Sequence, residues 1–167
     1  RSFGESKVNV ANKSIALMKG EQNQGVFCTG KHFPGHGDTS TDSHKTLPTI
    51  NFSKERIDLV ELYPFKKMFN EGLVSVMVAH LNIPSFEKEK DLPSSLSYNV
   101  VTKLLKEKLG FDGLIFTDGL GMKGVSNFKA AGDADLAAFM AGNDILLCPE
   151  NVPLAITKIK EAYLQKA

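Results

Sequence analysis

The sequence predicts an α/β fold built on a parallel sheet, and three observations lead there. Short apolar runs alternate along the chain with amphipathic stretches of helical rhythm. The runs are apolar enough to be buried on both faces, as the strands of a parallel sheet are. Polar, chemically capable residues close the runs: Lys31 and His32, then His80, then Asp118. Function gathers at these carboxyl ends in parallel sheets, open or closed.

Taken in order, residues 8–18 carry Val8, Val10, Ala11, Ile15, Ala16 and Met18 at helical spacing, closed by Gly20. Residues 25–30 read as a first strand running into a loop of Gly, Pro and His. Ser53 is placed to cap a helix over 54–69, which Pro64 should bend or split. Residues 73–80 form a second strand. Ser95 or Ser97 starts a helix to Leu109, and Gly110 stops it. Residues 111–118 form a third strand, 130–140 an Ala-rich helix, and 145–148 a fourth strand with Asn143 and Asp144 as cap or turn residues before it. Residues 152–165 close the chain as a helix. This is one helix followed by four strand–helix units, which implies a sheet covered on both faces. An open flavodoxin-like sheet and a piece of a closed barrel both fit. A complete (β/α)8 barrel needs ~250 residues, so the chain, at 167 residues, cannot close one alone.

Composition narrows the function classes. With 42% hydrophobic and 23% charged residues the chain is globular rather than disordered. A net charge of +1 gives no electrostatic reason to expect nucleic acid or an anionic membrane as partner. No apolar run approaches the ~18 residues of a membrane span, so none is expected in this segment. Cys28 and Cys148 lie inside apolar runs and read as buried free thiols. The chain has no initiator Met and no signal-peptide pattern. It is therefore expected to be one piece, 1–167, of a longer protein, with its compartment, cytoplasmic or exported, left open.

The densest chemistry runs from Lys31 to His44: Lys31-His32-Phe33-Pro34-Gly35-His36-Gly37-Asp38-Thr39-Ser40-Thr41-Asp42-Ser43-His44. It holds three of the chain's four histidines. Pro34, Gly35 and Gly37 make it an irregular loop able to fold over a pocket. Asp42 and His44 are two apart, so in extended chain they point the same way. The carboxylate can then fix the imidazole tautomer and raise its basicity, which is the physics of a histidine acid/base. A metal site is the competing reading. It is disfavoured because Pro34 and Gly35 break the helix that a His-x-x-x-His face requires, and no metal or other cofactor is expected. Asp118, at the end of the third apolar run, is either a rigidly placed pocket carboxylate or a helix cap. His80 reads equally as a structural hydrogen-bonder or a pocket residue. His36 is expected to brace the loop and Phe33 to belong to the core.

These residues resemble a family. The Lys-His-Phe-Pro-Gly-His-Gly-Asp-Thr run from Lys31, followed by Asp42-Ser43-His44, is similar to the signature of family 3 glycoside hydrolases of the bacterial β-N-acetylglucosaminidase type. Arg1-Ser2-Phe3-Gly4, Met77-Val78-Ala79-His80, Phe111 through Asp118 with Met122, and Ala141 through Leu147 resemble further segments in the same order. The resemblance implies the C-terminal half of a (β/α)8 (TIM) barrel, strands five to eight, with the N-terminal half-barrel missing from this chain. It implies a retaining hydrolase that releases terminal β-linked N-acetylglucosamine from peptidoglycan fragments or chitooligosaccharides. Asp118 corresponds to the nucleophile, His44 to the acid/base oriented by Asp42, and Arg1, Lys31 and His32 to residues binding the sugar. The segment alone is expected to be inactive or very weak. Two alternatives stand beside it: a family 3 phosphorylase, and a non-catalytic carbohydrate- or anion-binding α/β module.

Overall fold

The computed structural model describes residues 3–39 and 46–165. It is α/β with a parallel sheet, as the sequence predicts. Helix α1 (Lys7–Gln22) leads, capped by the Ser6 side chain, which accepts the Asn9 N–H. Gly20 does not end it. One glycine costs a helix only ~1 kcal/mol, and the chain turns instead at Gly25, in the left-handed region at φ +77°.

Strand β1 (Thr29–Phe33) starts later than the apolar run suggests. Its pairing with β2 (Ser75–Val78) joins Thr29 to Ser75, Gly30 to Val76 and Phe33 to Val78, and this draws Lys31 and His32 into the strand. Val26 and Phe27 are left exposed. The next helical stretch divides into α2 (Lys54–Leu59) and α3 (Leu62–Asn70), with Ser53 capping the first. The break falls before Pro64. That residue sits in the first turn of α3, where a missing N–H costs nothing.

After β2 a short 3-10 turn (Ser94–Leu96) leads into a wide π-type helix (Asn99–Lys108). Gly110, at φ +67°, stops it as expected. Strand β3 (Leu114–Thr117) follows, then α4 (Lys123–Ser126), α5 (Asp133–Ala141) and α6 (Val152–Leu164), whose cap is Asn151. The expected fourth strand is reduced to one parallel bridge, Phe116 to Ile145. Asn143 and Asp144 do serve the turn before it. The Asn143 amide donates to Ser95 and Ala138 carbonyls, and Asp144 accepts the Ile115 N–H.

The sheet order is β1-β2-β3, all parallel, with Ile145 beyond β3. The core lies on one face. Val76, Val78 and Ile115 are fully buried there among Met18, Ile57, Leu62, Phe65, Met68, Val100 and Leu104 of the helices. Side chains alternate along a strand, and the residues of opposite parity form the other face. There Met77 and Phe116 are only half-buried and Leu114 is exposed. Full cover on both faces, expected from the apolar runs, is therefore met on one. The cysteines depart from expectation as well. Cys148 is exposed and Cys28 half-buried. The Cys28 thiol donates to Glu21, and burial followed by that carboxylate pushes it up to about 11.

Packing is tightest at the amino end of β3. A Cβ on Gly113 would lie 2.4 Å from the Val74 carbonyl oxygen and 2.7 Å from Phe111, with backbone as the obstacle. Gly113→Ala is expected to destabilise by ~1–3 kcal/mol. Gly20→Ala, with nothing within 4 Å of the new methyl, should stabilise by ~1 kcal/mol. Thermal unfolding of the two variants checks both signs.

Candidate functional site

The carboxyl ends of the three strands bring His32, His80 and Asp118 to one edge of the sheet. Asp118 directly follows β3. Its N–H donates to the Val78 carbonyl at 2.9 Å, while Thr117 donates to Ile145 and its hydroxyl accepts the Leu147 N–H. The backbone under the carboxylate is thus tied to both neighbouring segments. Oδ1 of Asp118 accepts the Gly119 N–H at 2.9 Å. Oδ2 faces His32, whose Nε2 is 3.7 Å away. The two side chains are 19% and 28% exposed, enough for a ligand to reach them and too little for bulk water to surround them.

His32 stands on β1, and its ring meets the His36 ring edge-on at 5.9 Å. His36 is held within its own loop by Thr39, whose hydroxyl is 2.8 Å from Nδ1. Lys31 is exposed on the same strand. Phe33 is buried in the core against Phe65. The loop is braced from outside by Arg56, which reaches Asp38 at 3.4 Å, pairs with Glu61 and stacks over Phe52. Nothing in the spacing of Arg56, Glu61 and Asp38 announces this brace, because its residues come from α2, the junction before α3 and a separate loop. Of the other expected site residues, Arg1, Asp42 and His44 lie outside the described residues. The sequence thus names three residues that the structure positions, and His32 and Asp118 among them are brought face to face.

His80 is resolved in favour of a structural bond-maker. It is 1% exposed, with Nδ1 2.6 Å from the Ser95 hydroxyl and Nε2 2.9 Å from the Gly119 carbonyl oxygen. A carbonyl only accepts, so Nε2 carries the proton and Nδ1 accepts from Ser95. Burial pushes this imidazole below its ordinary value, against the opposing pull of the Gly119 carbonyl and the Asp118 carboxylate. The sign of the pH effect follows. Below about 6.5, the free value, the unfolded chain takes up a proton that the folded chain resists. Stability contributed by neutral His80 is therefore complete above that pH and lost as pH falls through it. The melting temperature should drop between pH 7 and 5, and His80→Gln should flatten that drop. An identical slope in the variant would reject the assignment.

Among the described residues, no three carboxylate, thiol or imidazole groups lie close enough together to hold a metal ion, and no helix is long and apolar enough to cross a membrane.

Comparison with known proteins places the chain in a family. The family model described as "Glycosyl hydrolase family 3 N terminal domain" matches residues 1–165. "Beta-hexosaminidase A" of Pseudoalteromonas piscicida is 36% identical over 159 residues, covering 89% of this chain and 27% of its own length. "Beta-hexosaminidase" of Neisseria meningitidis serogroup C (strain 053442) is 34% identical over 163 residues, which are 98% of this chain and 44% of that protein. A solved family 3 β-N-acetylglucosaminidase from Paenibacillus sp. str. FPU-7 superposes with a TM-score of 0.92 at 41% identity, covering 96% of this chain and 31% of the other. This chain spans less than half the length of each of these relatives. A family match over nearly every residue, joined to relatives above 30% identity, makes the chain a member of glycosyl hydrolase family 3, within the region called its N-terminal domain.

Proposed function

We propose that residues 1–167 form the second half of a (β/α)8 barrel, strands five to eight, and that the whole protein is a retaining glycosidase. In this reading it removes terminal β-linked N-acetylglucosamine from peptidoglycan fragments or chitooligosaccharides. Two features support the architecture. The strands follow one another in chain order with no reversal, whereas an open doubly wound sheet of the flavodoxin kind reverses. The helices cover one face and leave Leu114, Met77 and Phe116 under-covered on the other, as in a barrel wall lacking its opposite side. The partner needed is the N-terminal half-barrel.

The observation that carries the chemistry is the Asp118 carboxylate at a strand's carboxyl end, with Oδ1 tied down and Oδ2 turned toward His32. In the proposed reaction Oδ2 attacks the anomeric carbon. The glycosidic bond breaks with its electron pair leaving on the departing oxygen, which takes a proton from the His44 imidazole oriented by Asp42. Water then attacks the glycosyl-enzyme, returns a proton to His44 and frees Asp118. An imidazole with its ordinary value near ~6.5 gives and recovers a proton near neutral pH. Arg1, Lys31 and His32 are assigned to the sugar; His32 stands next to the nucleophile as that role requires.

Trapping with a 2-fluoro glycoside tests the reading. The whole protein should gain one glycosyl mass on the peptide holding Asp118. A label elsewhere, or none, would leave a binding module as the better account. Added phosphate that diverted product to a sugar 1-phosphate would select a phosphorylase instead.

A further inference from the structure

The hydrogen bonds behind Asp118 run deeper than the carboxylate itself. Gly119 holds Oδ1 through its N–H, and its carbonyl is held by His80. Packing does little for Gly119. Even with a Cβ it would meet only the Met122 side chain, at 3.7 Å. The Gly119 carbonyl also accepts the Met122 N–H at 3.0 Å and the Leu120 N–H donates to Leu147; to these backbone bonds His80 adds a side-chain restraint at 2.9 Å, and His80 is itself immobilised. Ser95 engages its ring. Ser94 donates to the Ala79 carbonyl at 2.6 Å and accepts the Leu81 N–H at 3.1 Å, on either side of the histidine. Asn143 holds the Ser95 carbonyl at 2.8 Å, and the ring, Ser94, Ser95 and Asn143 are all buried.

We infer that His80 is a positioning residue for Asp118, acting through Gly119 to fix the direction in which Oδ2 meets the sugar. The inference rests on the glycosidase reading of Asp118. Its physical basis is that rotation of the Gly119 backbone would remove the donor from Oδ1 and let the carboxylate turn. A misplacement of ~1 Å costs about 100-fold in a reaction that needs alignment. A nucleophile held this way loses rate with every leaving group, in contrast to loss of a proton donor.

The test measures the trapping rate of an activated 2-fluoro glycoside in the whole protein and in three variants. His80→Leu removes both polar atoms. His80→Gln keeps an N–H near the place of Nε2. Ser95→Ala frees the ring to change tautomer. His80→Leu should trap about 10- to 100-fold more slowly at saturating reagent, with half-saturation little changed. His80→Gln should recover most of the loss, and Ser95→Ala should fall between the two. Unchanged trapping in His80→Leu, or equal losses in the Leu and Gln variants at matched melting temperatures, overturns the role. If the Leu variant does not fold, the Ser95→Ala rate decides: slower trapping supports the inference and a wild-type rate overturns it. A wild-type protein that fails to label at Asp118 sinks the glycosidase reading itself, whereas a labelled wild type with unaffected variants sinks only this one.

Discussion

Asp118→Asn in the whole protein is expected to lower hydrolysis by ~10⁴-fold or more, the scale seen when a covalent-catalysis residue is removed from a working site. The substitution is nearly isosteric. The side-chain oxygen can still accept the Gly119 N–H, so the turn should survive. An amide nitrogen in place of Oδ2 does not attack a sugar carbon. Binding should be retained, because the neighbouring His32 is untouched. Turnover and product affinity measured side by side check this. A variant that keeps a tenth of the wild-type rate would place the nucleophile elsewhere.

The second large effect is selective. His44→Ala should slow glycosylation by natural substrates ~10²- to 10⁴-fold, the usual worth of a general acid. A sugar or peptide-linked oxygen leaves poorly without a proton. An aryl glycoside with an acidic phenol leaves readily without one, so its glycosylation rate should change little. Single-turnover rates on the two substrates supply the comparison, and an equal loss on both would remove His44 from the acid's place. This pattern is the opposite of that expected for His80, whose loss should ignore the leaving group.

Much of the layout could be read from residue order. Asp118 was identifiable because an apolar run ends on it, and the structure puts that run in β3 with the carboxylate at its end. The start of β1 could not be read. Lys31 and His32 have the composition of a loop, and only the register with Ser75–Val78 makes them strand. The last apolar run promised a strand, but a single bridge to Phe116 forms there. Burial of one face against exposure of the other is invisible in a run such as Leu114–Thr117, where every second side chain is also apolar. His80 had two equal readings in the sequence because its partners, Ser95 and Gly119, lie 15 and 39 positions downstream. No local pattern links residues that far apart.

The tight seat of Gly113 and the open carboxylate of Asp118 mark opposite ends of one four-residue strand. At the lower end an added Cβ meets backbone; at the upper end Asp118 is held by Val78 of β2 and by its own Gly119 turn, with its carboxylate partly open to solvent. On the glycosidase reading proposed above, substrate preference should change through the loops at the carboxyl ends of the strands, and libraries aimed at it should leave the Gly113 end untouched.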